Sequence, residues 1–332
     1  MTNITYLLIT LSVLALAVVV DLLFGDPSPN YPWRLHYKLH PTVWMGKLTK
    51  LLESHFKNPN PKIDRLNGVL LALIVTFTFT LPVYFGLRFV HTLLGFFVYI
   101  LVAAVILKLT ICIKLETDWG IAAAKAIESE DLTEARMYAH FSRRDARDLT
   151  GPQIASSVIE SIAENLTDFK LSPLFYYAFF GVPGAIAFRA INTLDGMVGF
   201  KDPEHINIGW FSATLDTMAN YIPARLTTIL IVLASAILGE DHKNAWAIAR
   251  RDQAKVPSIN HGWPMAVMAG ALRVCLEKPG YYAVGDGIEE LSSAHVFRAL
   301  RIRNVTLVLF VMLIVLPILF SVSLFLPFLL TI

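Results

Sequence analysis

The chain has 332 residues, of which 55% are hydrophobic and only 16% charged, against about 25% charged in soluble globular domains. With a mean hydropathy of +0.56, a water-facing fold has too little polar surface to cover its apolar side chains, so lipid is the expected solvent. A net charge of +2 gives no basis for nucleic-acid binding, and the two cysteines, Cys112 and Cys275, read as packing residues rather than a disulfide.

A spanning helix needs about 20 mostly apolar residues. The first candidate, residues 4–24, follows Met1–Asn3 with no Lys or Arg and has no small-x-small cleavage site before Asp21, so it is expected to be a retained transmembrane helix rather than a signal peptide. Residues 68–90, 93–113 and 304–332 also qualify, the last with Pro317 inside it, and residues 222–238 form a shorter span after Pro223. Residues 173–190, PLFYYAFFGVPGAIAFRA, carry Gly181, Pro183 and Gly184 in their middle. Irregular backbone at membrane depth survives only where protein or a wet cavity covers it. Two readings stand open for this segment: a broken or re-entrant element at a binding site, or a kinked span. The fold class expected is all-α, a polytopic integral membrane helical bundle with cytoplasmic helical segments, forming one domain over residues 1–332.

The polar stretches between these spans are uneven in charge. Residues 25–67 hold seven Lys/Arg, 114–172 hold seven and 239–303 hold nine, whereas 191–221 hold only Lys201. The positive-inside rule places the three basic stretches in the cytoplasm. That placement requires residues 173–190 to cross and leaves 191–221 on or near the other face. Within 114–172, Asp131 with Glu134 suits the start of one helix. Thr150 to Gln153, with Pro152 between them, reads as a capping box that opens a helix running through Asn165.

That helix, QIASSVIESIAENLTD, sets Ser157, Glu160, Ser161, Glu164 and Asp168 at three- and four-residue steps on one face. Like charges at i,i+4 such as Glu160 and Glu164 suggest a cation between them, and Mg²⁺, which takes carboxylate oxygens plus substrate phosphates, is the natural candidate. The alternative is a solvated face paired with Arg144 or Arg147. Upstream, Arg143, Arg144 and Arg147 can grip phosphate, pair with Asp145 and Asp148, or meet anionic lipid. Arg189, Asn192, Thr193 and Asp195 are polar groups at or near membrane depth, where ionisable residues are functional candidates by default. The alternative there is an interfacial loop in water. Asp216 and Asn220 join the same candidate cluster. The turn-rich segment around Asn260 and His261 precedes a small-residue helix; a lone histidine there is more often structural. No phosphate loop of the Walker type and no dinucleotide fingerprint occurs.

Taken in order, DLLFGDP at 21–27, HPTVWMG at 40–46, SRRD at 142–145, ESIAENLTD at 160–168, SPLFYYAFFGVPGAIAFRAINTLDGMVG at 172–199, GWFSATLDTMANYIPARL at 209–226 and GWPMAVMAGAL at 262–272 resemble the adenosylcobinamide-phosphate synthase family of cobalamin biosynthesis, CbiB or CobD. Arg273 departs from that family, which usually carries Gly after AGAL, and residues 280–287 match only loosely. The resemblance implies a membrane ligase that uses ATP and Mg²⁺ to join adenosylcobyric acid, a corrinoid, to aminopropanol or its O-phosphate through an amide. It implies metal and base roles for Glu160, Glu164 and Asp168, and amine-orienting or metal-completing roles for Asn192 and Asp195. Phosphate or substrate binding would fall to Arg143, Arg144, Arg189, Asn165, Asp216 and Asn260. It further implies residence in the cell membrane, contact with the lipid bilayer and association with other membrane enzymes of the pathway. ATP chemistry conflicts with placing 191–221 across the membrane. Two other readings were open: a membrane carrier or sensor of the same fold, and a phosphotransferase acting on lipid head groups.

Overall fold

Local chemistry explains where several helices begin. Asp131 caps its helix by accepting the N–H of Glu134, and Thr150 and Gln153 form a reciprocal capping box with Pro152 in the first turn. A computed structural model describes residues 3–27, 34–139 and 146–325. In chain order the elements are α1 (Asn3–Phe24), α2 (Arg34–Leu39), α3 (Pro41–Phe56), α4 (Pro61–Lys108), α5 (Lys114–Glu128), α6 (Leu132–Tyr138) and α7 (Gly151–Leu166). A π-helical turn (Thr167–Leu171) leads into α8 (Ser172–Val198), then α9 (Trp210–Leu238), α10 (His242–Asp252) and α11 (Gly262–Leu272). Strands β1 (Cys275–Lys278) and β2 (Tyr282–Gly285) pair antiparallel before α12 (Ser293–Phe310) and α13 (Leu316–Phe325). Among the described residues, five helical stretches are long and apolar enough to cross a bilayer: α1, α4, Gly151–Val198, α9 and Ser293–Phe325. The protein is an all-α, multi-pass membrane bundle.

The helices extend beyond the apolar runs. The stretch expected from 222 begins at Trp210, and the one expected from 304 begins at Ser293. Residues 326–332 lie outside the described residues. The chain gathers into two compact units, each built from discontinuous segments. One takes Met1–Lys114, Ser172–Ala219 and Val315–Ile332; the other takes Leu115–Leu171 and Asn220–Ile314.

In the first unit, two helices double back on themselves. Gly95 in α4 has φ 79°, ψ 178°, and Gly181 in α8 has φ 64°, ψ −161°. Essentially only glycine reaches this region. Val83 and Ile106 both pack against the cluster of Met45, Ile186 and Ala190, although in a straight helix they would lie about 35 Å apart. The chain therefore reverses at Gly95, which makes two arms of α4 where the sequence suggested two spans. The second helical arm ends at Lys108, short of residue 113.

In α8, the Tyr176 and Phe188 rings stack at 5.4 Å. A Cβ placed on Gly184 would sit 2.6 Å from the Tyr176 carbonyl oxygen, where a straight helix would separate these positions by about 12 Å. Helix runs without interruption from Gly151 through the π-turn to Phe180, and the arm after Gly181 extends to Val198. The chain is therefore broken and doubled back within 173–190, and the part after Gly181 returns alongside the part that precedes it.

The second unit is pinned by charges. Lys170 in the π-turn and Arg303 in α12 are fully buried, and each meets Glu116 Oε2 at 2.8 Å. Asp252, buried at the end of α10, accepts hydrogen bonds from Arg251 and the N–H of Gly285 and pairs with Lys255 at 2.8 Å, which ties β2 to α10. Arg273 ends α11 in the left-handed conformation (φ 60°, ψ 31°). Glycine fills this helix-terminating position without strain, and any other residue costs about 1 kcal/mol or more there. That is the physical reason the resemblance calls for Gly at 273.

Gly181→Val is expected to lower stability by roughly 1–3 kcal/mol, the cost of forcing a side chain into this backbone region, read as a lower Tm in detergent. Burial opposes ionisation of Asp252, but the bonds from Arg251, Lys255 and Gly285 outweigh it and hold its carboxyl below the usual carboxylate range. Its stabilisation is therefore present above the unfolded carboxyl's pKa of about 4 and lost as pH falls toward the folded value. Asp252→Asn is expected to cost roughly 2 kcal/mol at neutral pH, a difference that chemical unfolding should show shrinking below about pH 4.

Candidate functional site

The face of α7 that carries the carboxylates divides in two. Glu160 is buried and turned into protein: it accepts from the Ser156 hydroxyl at 2.7 Å and from the Tyr282 hydroxyl on β2 at 2.6 Å. It is not part of a solvated face. Glu164 and Asp168 instead converge on one imidazole. His261 Nδ1 lies 3.2 Å from Glu164 Oε1, and His261 Nε2 lies 3.0 Å from Asp168 Oδ2. Burial disfavours the imidazolium, but the two carboxylates outweigh it and hold the His261 pKa well above its ordinary value. The cation between like charges is thus an imidazolium supplied by the chain itself.

His261 is held by its own turn. Its N–H donates to Ser258 Oγ at 3.2 Å. Arg225 of α9 donates to Asn260 Oδ1 at 2.6 Å and lies over the Tyr221 ring at 3.7 Å. Asn260 therefore anchors the turn. Asn165 stands apart from Glu164 and Asp168; it lines a cavity of about 20 Å³ with Glu116, Tyr138 and Ser161, room for roughly one water molecule.

Among the described residues no group of three or more His, Cys, Asp and Glu is arranged to hold a metal ion. Glu164 and Asp168 address the two different ring nitrogens of His261, so their oxygens stand on opposite sides of the imidazole rather than at one point. The two therefore do not fit one Mg²⁺ together in this arrangement, and Glu160 is engaged by the Ser156 and Tyr282 hydroxyls. Arg143 and Arg144 lie outside the described residues.

A second polar cluster lies in the first unit. Asp21, fully buried at the end of α1, accepts the N–H groups of Ile113 and Lys114 at 3.0 Å each. Lys108 donates to the Gly25 carbonyl at 2.6 Å and to Asp26 Oδ1, and stands 3.7 Å from Asp21 Oδ1. Arg189 donates to the Thr110 carbonyl and, at 3.1 Å, to Asn192 Oδ1. Asn192 Nδ2 in turn donates to Asp216 Oδ1 at 3.3 Å. Asp195 is half-buried one turn further on, its carboxylate against Gly199. On α3, Met45 approaches the Thr193 hydroxyl and Gly46 faces Met197. The sequence segments 21–27, 40–46, 189–199 and 209–216 thus meet in one place. Sequence reasoning named Arg189, Asn192 and Asp216 as candidates and not Asp21, Asp26, His40 or Lys108, because the partners of these four lie far along the chain.

The family model described as "CobD/Cbib protein" matches residues 14–325. The chain belongs to the CobD/Cbib family. It is similar to proteins named "Probable cobalamin biosynthesis protein CobD" from Methanothermobacter thermautotrophicus (37% identity, 90% of this chain and 95% of the relative) and Thermoplasma acidophilum (34%, 92% and 97%). It is also similar to the "Cobalamin biosynthesis protein CobD" of Dehalococcoides mccartyi (36%, 85% and 88%). No solved structure matches the chain.

In this CobD/Cbib chain the hydroxyls of Ser156 and Tyr282 are the donors that satisfy a buried carboxylate. Tyr282→Phe is expected to destabilise the protein by about 2 kcal/mol, because the buried Glu160 carboxyl loses a donor; urea or thermal unfolding in detergent measures it.

Proposed function

We propose that the chain is an ATP-dependent ligase of cobalamin biosynthesis in the cell membrane, joining adenosylcobyric acid to aminopropanol or its O-phosphate. Family membership supplies the pathway, and the convergence of Glu164 and Asp168 on His261 is the observation that carries the chemistry. A carboxylate does not react with an amine, because its oxygen is a poor leaving group. In this reading a corrin carboxylate oxygen attacks the γ-phosphorus of ATP and ADP leaves. The amine nitrogen then displaces phosphate from the acyl phosphate, forming the amide and giving up one proton to a base.

Each step asks something of particular residues. Glu164 Oε1 and Asp168 Oδ2 hold a protonated imidazole, and a fixed cation beside transferred phosphate stabilises the charge that develops there. Mg²⁺ carried on the nucleotide would neutralise its phosphate oxygens, with one carboxylate at most as a protein ligand. Arg225 and Asn260 keep the His261 turn in register. In the other cluster, Arg189 fixes the Asn192 amide, which holds Asp216; a carboxylate so held orients an amine and accepts its proton. Arg143 and Arg144, by their residue type, are assigned to phosphate.

The test is an amide-forming assay on detergent-purified protein with adenosylcobyric acid, aminopropanol phosphate, ATP and Mg²⁺, following phosphate release and corrin mass together. Wild type is expected to add the mass of the aminopropanol phosphate arm, and Glu164→Gln to lower kcat by roughly 10²–10⁴-fold. Corrin binding with no gain in mass would turn the reading to a carrier or sensor. Full turnover by Glu164→Gln would remove that residue's role.

A further inference from the structure

His40 opens α3 and caps it in an unusual way. The N–H of Thr42 donates to His40 Nδ1 at 3.4 Å, and the Thr42 hydroxyl lies 2.7 Å from the same nitrogen. A backbone N–H can only donate, so Nδ1 offers its lone pair and the ring proton sits on Nε2. Nε2 is buried and finds no hydrogen-bond partner among the described residues. Its nearest acidic oxygen, Asp26 Oδ1, is 3.9 Å away, beyond hydrogen-bond reach. Buried N–H donors are rarely left unmade, since each costs about 1–3 kcal/mol.

The surroundings say what such a donor waits for. Burial pushes the His40 pKa down to about 4; Asp26 opposes this, and Arg189 and Lys108 push the same way as burial. The ring is thus a neutral donor between the Asp26 carboxylate on one hand and the Arg189 and Lys108 cations on the other. The same cluster holds Asn192 and Asp216, so the donor belongs to the region where the family motifs meet.

We propose that His40 Nε2–H, with Lys108 and Arg189 around it, donates a hydrogen bond to an oxyanion of the bound substrate, either a phosphoryl oxygen of the amine substrate or the corrin carboxylate. The inference deepens the ligase reading and rests on it for the identity of the substrate. His40 binds and positions that group. It does not act as a proton acceptor, because the nitrogen facing the ligand already carries its proton.

Two variants separate this role from helix capping. His40→Asn keeps a side-chain acceptor for the α3 N-terminus but is too short to place a donor where Nε2 stands. His40→Gln gives up the cap and reaches that position with its amide nitrogen. Thermal unfolding of the detergent-purified full chain is measured with aminopropanol phosphate and, separately, with adenosylcobyric acid. The expected result is that one probe raises the Tm of wild type and His40→Gln but not of His40→Asn. A response to aminopropanol phosphate identifies the phosphoryl oxygen, and a response to the corrin acid identifies the carboxylate. In turnover, the KM for the same compound should rise on the order of 10- to 100-fold in His40→Asn, the worth of a hydrogen bond to a charged group, with kcat little changed. Equal Tm shifts in all three proteins, no shift in wild type, or loss of the shift in both variants would overturn the proposal. A wild type that binds as expected yet forms no amide removes the ligase reading and leaves the oxyanion site standing.

Discussion

Asp21 sits at the end of α1 with no access to solvent; its Oδ2 accepts two backbone N–H groups, of Ile113 and Lys114, while Oδ1 faces the Lys108 ammonium at 3.7 Å. A buried charge deprived of such partners costs several kcal/mol. The arrangement therefore ties the end of the first helix to the end of the second α4 arm. The rest of the first unit's polar cluster hangs on that tie. Lys108 is aimed at Gly25 and Asp26, Thr110 turns its carbonyl to Arg189, and Arg189 sets Asn192 against Asp216. A carboxylate that looks like a helix terminus in the sequence is the piece that fixes the geometry of the others.

The second unit solves the same problem with different groups. Glu116 answers two buried cations, Lys170 and Arg303, and Glu164 with Asp168 answers one imidazolium. In both places carboxylates on helices gather cations from other elements. Charges in a poorly solvated interior persist when they are paired and hydrogen-bonded. Such pairs add little net stability over apolar packing, but breaking one is costly. They fix which helix faces meet, and with them the positions of the residues assigned to chemistry.

Much of the fold was legible because hydropathy is local. Apolar runs, capping boxes and the Gly/Pro interruption around Gly181 lie within a few residues of what they determine. The reversal at Gly95 was less so: the sequence breaks its hydropathy at His91 and Thr92, while the turn itself depends on a glycine a few residues later. Long-range pairing was not legible at all. Glu160 and Glu164 share a helical stripe, and nothing in a 3.6-residue period says that Tyr282 covers one while His261 meets the other. His261 looked like an ordinary histidine because its two partners lie far upstream in sequence. His40 likewise gains its meaning only from Asp26, Lys108 and Arg189. Helical periodicity reports a side chain's direction, not the group at the end of it.

The reversal at Gly181 also constrains how the protein is made. The break at Gly181 interrupts the helical backbone, and the groups it frees find no partners in lipid. The hairpin therefore needs a protein surface to enter against. That surface is made first: Tyr177 donates to the carbonyl of Thr10 in α1, and Ile186 packs among residues of α3 and both arms of α4. All of these precede it in the chain. Insertion of α8 is then a templated step that follows the earlier helices, and the fidelity of α1 decides whether the later hairpin finds its place.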